Sequence, residues 1–193
     1  MAGLVPWLFI STATTQGSNS VYSKINLVSK MKFPVSVLPS INIIGNSISF
    51  FIMLIITSII FFLYKSFSGV YLLQVPYYLF CLYFLLFGLT LLLSTLTIII
   101  RDIQQMVQSV MRLMLYALPI VWNIDKLPKT IVNLLQLNPF FYIIEGFRDS
   151  LLGGKWFFND LSYTLYFWCI SLLILLVGSS VHLKFRHKFV DYI

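Results

Sequence analysis

Hydrophobic residues run through this chain in long blocks, and short polar stretches punctuate them. Ile41–Tyr64 carries no charge and is long enough to cross a bilayer core of about 30 Å. Tyr71–Ile100 has 30 residues without a charge. As one helix it would run about 45 Å, so it is expected to tilt, bend at Pro76 or protrude. Leu161–Leu183 is a third such block. Two further spans are expected at Gly3–Tyr22 and Ile103–Trp122. The second half of Gly3–Tyr22 is crowded with Ser, Thr, Gln and Asn, which suits a helix packed on neighbours or lining a wet path. Asp125–Asn138 and Pro139–Leu152 are each too short to span and are broken at Asn138-Pro139. They predict a pair of re-entrant half-helices, 125–152, ended by Gly153-Gly154. The pattern describes one all-α polytopic membrane domain over residues 1–193, with about five spans and a re-entrant helical hairpin.

Composition supports a membrane location. The chain is 59% hydrophobic and only 10% charged, against about 25% charged in soluble domains. Its formal charge of +7 has to be divided between the two sides of the membrane before any partner is inferred from it. One side collects Lys24, Lys30, Lys32, Arg101, Lys184, Arg186 and Lys188 against Asp102 and Asp191. The other collects Lys65, Lys126, Lys129, Arg148 and Lys155 against Asp125, Glu145, Asp149 and Asp160. The positive-inside rule places the first side in the cytoplasm. Met1 would then lie outside and Ile193 inside. With no cleavable leader pattern after Met1, an external start predicts a further segment upstream. No basic-aromatic motif points to nucleic acid.

Chemistry-bearing patterns are few. No Gly-rich phosphate loop, metal spacing or Ser–His–acid arrangement occurs, so no catalytic residue, bound metal or cofactor is expected. Cys81 and Cys169 lie inside apolar blocks. His182 and His187 are read as interfacial residues, and Trp7, Trp122 and Trp156 as an aromatic belt. Four polar features remain. Ser23–Phe33 is a short basic amphipathic element: Lys24, Lys30 and Lys32 surround Ile25, Leu27, Val28, Met31 and Phe33. It suits a membrane surface or a partner's groove. Arg101-Asp102 marks a turn at the membrane surface or a docking point. Glu145 and Arg148 stand at helical spacing and form an ion pair, a gate or a substrate contact. Arg112, about 15 Å along its helix from the turn, needs protein or water around it. A carbonyl, an acidic side chain or an anionic cargo would each supply that. Tyr142 belongs to a surplus of aromatic residues beyond a belt, and aromatic faces also stack on sugars.

Five stretches in order, GLVPWLFIS, KINLVSKMKFPVSVLP, STLTIIIRDIQQMVQSVMRLMLYALPIVW, LNPFFYIIEGFRDSLL and LKFRHKFVDYI, resemble type-2 ABC exporter permeases. Within the polysaccharide branch they are most similar to wall teichoic acid export permeases, with O-antigen and capsule permeases sharing the FP…LP, RD and NP…EGFR patterns. The resemblance implies a bacterial plasma-membrane homodimer, embedded in lipid, above an ABC ATPase subunit that binds the ATP and Mg. Its cargo would be a lipid-linked anionic glycopolymer. Residues 23–33 would be the coupling element, 125–152 the external gate, and Arg112, Tyr142, Glu145 and Arg148 would lie on the path or gate. Such permeases begin with an interface helix and a first span that this sequence lacks. A membrane-embedded lipid- or glycan-processing enzyme is the alternative from another class, but it needs acids and histidines clustered at one face. A structural anchor leaves Arg112 and Glu145 without a purpose.

Overall fold

The computed structural model describes residues 2–24, 35–64, 69–120 and 128–185, and these residues form helices and turns without a strand. Among the described residues seven α-helices follow one another: α1 Leu4–Ser18, α2 Val37–Leu63, α3 Val75–Ile99, α4 Ile103–Ala117, α5 Lys129–Gln136, α6 Pro139–Leu152 and α7 Leu161–Phe185. Residues Ile25, Leu27, Val28, Lys30, Met31, Lys32 and Phe33 of the expected coupling element lie outside the described residues, as do Lys65, Trp122, Asp125 and the tail beyond Phe185.

Helices α2 and α7, and α3 with the 3-10 turn before it, are long and apolar enough to cross a membrane. Half of the α3 window (50%) is buried inside the bundle, against 17% for α2 and 22% for α7. Helix α3 is therefore the central post, while α2 shows Ile44, Ile48, Ile52, Ile55 and Ile59 outward, where lipid solvates them. The Tyr71–Ile100 block does not form one helix. A 3-10 turn occupies Gly69–Gln74, and Pro76 stands in the first turn of α3, where its missing N–H costs nothing. The expected spans at 3–22 and 103–122 appear as helices of 15 residues, about 22 Å each. Helix α1 ends where Asn19 and Ser20 follow. Helix α4 ends because Pro119 forces Leu118 into an extended conformation, φ −82° and ψ 148°.

The bundle has two ends. At the turn end, α1 finishes, α2 starts and Arg101-Asp102 links α3 to α4; Val21, Leu38 and Ile98 form a small cluster there. At the other, the α6 end, α1, α3 and α7 start and α4 finishes. The main core joins Trp7, Phe9 and Ile10 of α1 to Leu82, Leu85 and Leu86 of α3 and to Ile143, Ile144 and Phe147 of α6. Trp7 is only 2% exposed, so it is a core residue and not part of a belt.

Small residues set the helix spacing, as close packing in lipid requires. A Cβ on Gly178 of α7 would lie 2.8 Å from the Gly88 carbonyl oxygen of α3. One on Gly17 of α1 would lie 2.5 Å from Thr90 Cγ2. Buried hydroxyls mostly bond their own helix: Thr90 Oγ1 donates to Leu86 O at 2.7 Å and Ser150 Oγ to Gly146 O at 2.6 Å. His182 is buried between α7 and α3 rather than interfacial, its Nδ1 3.0 Å from Thr95 Oγ1. His187 lies outside the described residues.

Candidate functional site

Helix α6 organises the α6 end, and its limits follow from its sequence. Asn138 caps it, its side chain accepting from the Phe140 N–H at 3.0 Å, and Pro139 occupies the first turn. Gly153 closes it in the left-handed region at φ 78°, its N–H donating to Asp149 O. Between these caps Phe140, Phe141, Tyr142, Ile143, Ile144 and Phe147 are buried. On this scaffold Glu145 and Arg148 form an ion pair with both side chains partly accessible, 24% and 18%. Arg148 also donates to the Pro119 carbonyl. One guanidinium thus ties α6 to the end of α4, satisfying a carbonyl just past a helix terminus.

Tyr142 sits in a hydrogen-bonded row whose direction is fixed by its two ends. The indole Nε1 of Trp168 can only donate, and it reaches Tyr77 Oη at 3.1 Å. At the far end Thr164 Oγ1 donates to the Phe157 carbonyl at 2.9 Å. Tyr142 Oη must then donate to Thr164, and Tyr77 Oη to Tyr142, both at 3.1 Å. The row joins α3, α6 and α7, and at 5% exposure Tyr142 acts as a strut between them.

Gln74 was not singled out from the sequence, because one amide in an apolar run carries no pattern. It is 1% exposed. Its Nε2 donates to Lys155 O at 3.1 Å and its Oε1 accepts from Phe157 N–H at 3.2 Å, so it pins the loop between α6 and α7. Gln74→Leu should cost about 1 kcal/mol by removing the partners of two part-buried backbone groups. Limited proteolysis should then cut between Gly153 and Asp160 faster than in the parent protein. An unchanged cleavage rate would show that the loop is held by other means.

A recess of about 190 Å³ opens beside α6, walled by Tyr78, Phe141, Tyr142, Phe157 and Tyr163. Gln136, Glu145, Asp149, Lys155, Trp156 and Asp160 also line it. Burial pushes the Asp149 carboxyl above its ordinary range, against a backbone N–H from Lys155 and the nearby charges of Lys155 and Arg148, which pull it down.

At the turn end a second recess, about 360 Å³, is lined by Thr15 and Gln16 of α1, Asn19 just after it, Asn42 of α2, Gln104 and Gln108 of α4, and Ser23. Among the described residues every lining side chain is polar and none is charged. Asn46 Nδ2 donates to Gln16 Oε1 at 2.8 Å, whereas Asn19 Oδ1 is buried without a partner among the described residues. Nearby, Arg101 and Asp102 are exposed, with the Arg101 guanidinium 5.3 Å from the centre of the Tyr22 ring. Lys24 is half-buried in the short turn Tyr22–Lys24.

Thus Tyr142, Glu145 and Arg148 converge at the α6 end. Arg112 does not join them. It is exposed on the outer face of α4 beside Leu113 and Tyr116, with no hydrogen bond or ion pair among the described residues. The expected enclosure of Arg112 is not supplied by this chain's described residues, because the buried side of α4 carries Val107 and Met111.

Comparison with known proteins adds three findings. A family profile described as ABC-2 type transporter matches residues 1–152. The chain is 26% identical over 197 residues to the O-antigen export system permease protein RfbA of Klebsiella pneumoniae, covering 99% of this chain and 73% of that protein. It is 21% identical over 193 residues to the O-antigen export system permease protein RfbA of Myxococcus xanthus, covering 99% of this chain and 74% of that protein.

Proposed function

This chain belongs to the ABC-2 type transporter family, and on that premise we propose that it is the membrane-spanning subunit of a polysaccharide exporter. The observation that carries this reading is the pairing of a lipid-facing shell with a half-exposed recess of polar, uncharged side chains between α1, α2 and α4. Helix α2 presents isoleucines outward, while Thr15, Gln16, Asn19, Asn42, Gln104 and Gln108 face one another at the turn end. Half-exposed polar groups at membrane depth are costly against lipid unless they are paired or face water, so such a recess suits a hydrated path.

The cargo in this proposal is a lipid-linked polymer. The resemblance of VSKMKFP and FVDYI favours wall teichoic acid, whereas the relatives named above are O-antigen permeases. The two differ in chemistry, and deleting the chain distinguishes them. The polymer lost from the cell surface should be rich in polyol phosphate for the first and a phosphate-poor saccharide for the second. Undiminished surface polymer would overturn both.

In the same proposal the turn end faces the cytoplasm, where residues 23–33 dock on an ABC ATPase subunit and the pair Arg101-Asp102 lies alongside. A second copy of the chain, or the cargo, covers the exposed Arg112 face of α4. A cysteine at Leu27 should cross-link to the co-expressed ATPase in high yield. Labelling of that position by lipid-directed probes alone would make 23–33 a surface anchor.

A further inference from the structure

We propose that the recess beside α6 is a subsite for one uncharged pyranose ring. This deepens the exporter reading, on which its role in the cell depends, but the binding itself stands on the geometry of the recess. Its volume of about 190 Å³ suits a single ring and not a chain segment. Tyr78, Tyr142 and Tyr163 line it with aromatic surface, against which the C–H face of a sugar ring packs. Asp149 and Asp160 supply carboxylate oxygens, strong acceptors for vicinal hydroxyls, and Gln136 adds an amide that both donates and accepts.

Two details point to an absent ligand rather than a filled wall. The Tyr163 hydroxyl oxygen is buried and has no hydrogen-bond partner among the described residues. Such a group costs about 1–3 kcal/mol unless something else satisfies it. The hydroxyl hydrogens of Tyr142 and Thr164, by contrast, are committed to the row that ends at Phe157 O. Tyr163 is therefore the wall hydroxyl left without a partner, which a turn of its ring would bring to a sugar hydroxyl.

Charge decides against a phosphate. Glu145 is paired with Arg148, so Asp149 and Asp160 are offset only by Lys155 and a shared influence of Arg148, and the lining stays net negative. A negative lining repels a dianion but accepts hydrogen bonds from a neutral polyol. A metal is also disfavoured: among the described residues no three His, Cys, Asp or Glu side chains are grouped to hold one.

The test is ligand-observed saturation-transfer NMR on the full chain in lipid nanodiscs. The probes are the methyl glycosides of glucopyranose, galactopyranose and mannopyranose, with glycerol 3-phosphate as the anionic comparison. At least one methyl glycoside should bind saturably and glycerol 3-phosphate should not. Asp160→Asn, at an exposed position, and Gln136→Ala, at the rim, should each weaken binding about tenfold, as expected when one good hydrogen bond is lost. Ile52→Ala, on the lipid face of α2, should leave binding unchanged. Absence of saturable binding by any glycoside, tighter binding of glycerol 3-phosphate, or unaltered affinity in both recess variants would overturn the subsite. None of these outcomes depends on export, so the subsite and the exporter reading fail separately.

Discussion

Gly178→Leu is expected to abolish the folded protein. Helices α3 and α7 form the most extensive helix pair in the bundle, and they meet backbone to backbone. A Cβ on Gly178 would lie 2.8 Å from the Gly88 carbonyl oxygen and 3.3 Å from Leu92 N, atoms that cannot swing aside. A leucine there must push the helices apart, which opens the row from Trp168 to Tyr77 and Tyr142 and withdraws His182 from Thr95. Overpacking alone costs about 1–3 kcal/mol, and each broken buried hydrogen bond adds to it. Against the marginal stability of folded proteins that sum is decisive. A fluorescent fusion in mild detergent should lose its monodisperse elution peak. Gly45→Leu is the matched control, since a Cβ at Gly45 meets nothing within 4 Å. Normal elution of Gly178→Leu would mean that the α3–α7 contact is not as close as described.

Arg148→Leu should separate stability from transport. The guanidinium binds the Glu145 carboxylate and the Pro119 carbonyl, so its loss strands a partly buried charge and frees the end of α4 from α6. Breaking a fully buried pair costs about 3–5 kcal/mol, and partial exposure of both side chains here lowers that figure. The single variant should lower the thermal midpoint by several degrees. The double variant Glu145→Leu/Arg148→Leu should recover most of that loss, because no carboxylate is then left alone. Surface polymer per folded molecule should remain at least about tenfold down in both, since neither restores the link to Pro119. Full export by the double variant would reduce Arg148 to a partner for Glu145.

How far these features could be read beforehand depends on whether the signal is local. Uncharged blocks longer than 18 residues identify α2, α3 and α7 directly. Helix α6 announces its own limits through Asn138-Pro139 and Gly153, and its Glu145–Arg148 pair follows from i, i+3 spacing. The direction in which a side chain points around the bundle is not local. Arg112 in an apolar run suggests enclosure, yet its azimuth is set by α4 burying Val107 and Met111 instead. Trp7 and His182 sit near helix ends, where interfacial residues are common, but neighbouring helices cover both. Gln74 gains meaning only from backbone groups of Lys155 and Phe157, some 80 residues later in the chain. The recess beside α6 draws its walls from α3, α5, α6, α7 and a loop, so no single stretch could reveal it.

If this chain carries a polysaccharide across the membrane, as proposed, inverted vesicles should show the translocation itself. Vesicles containing the chain and its ATPase subunit are supplied with lipid-linked polymer in the outer leaflet, and the fraction open to a polymer-degrading enzyme is followed after ATP addition. ATP-dependent protection of the polymer is expected, and it should disappear when the chain is omitted. Polymer that stays fully degradable with ATP, chain and ATPase all present would contradict it.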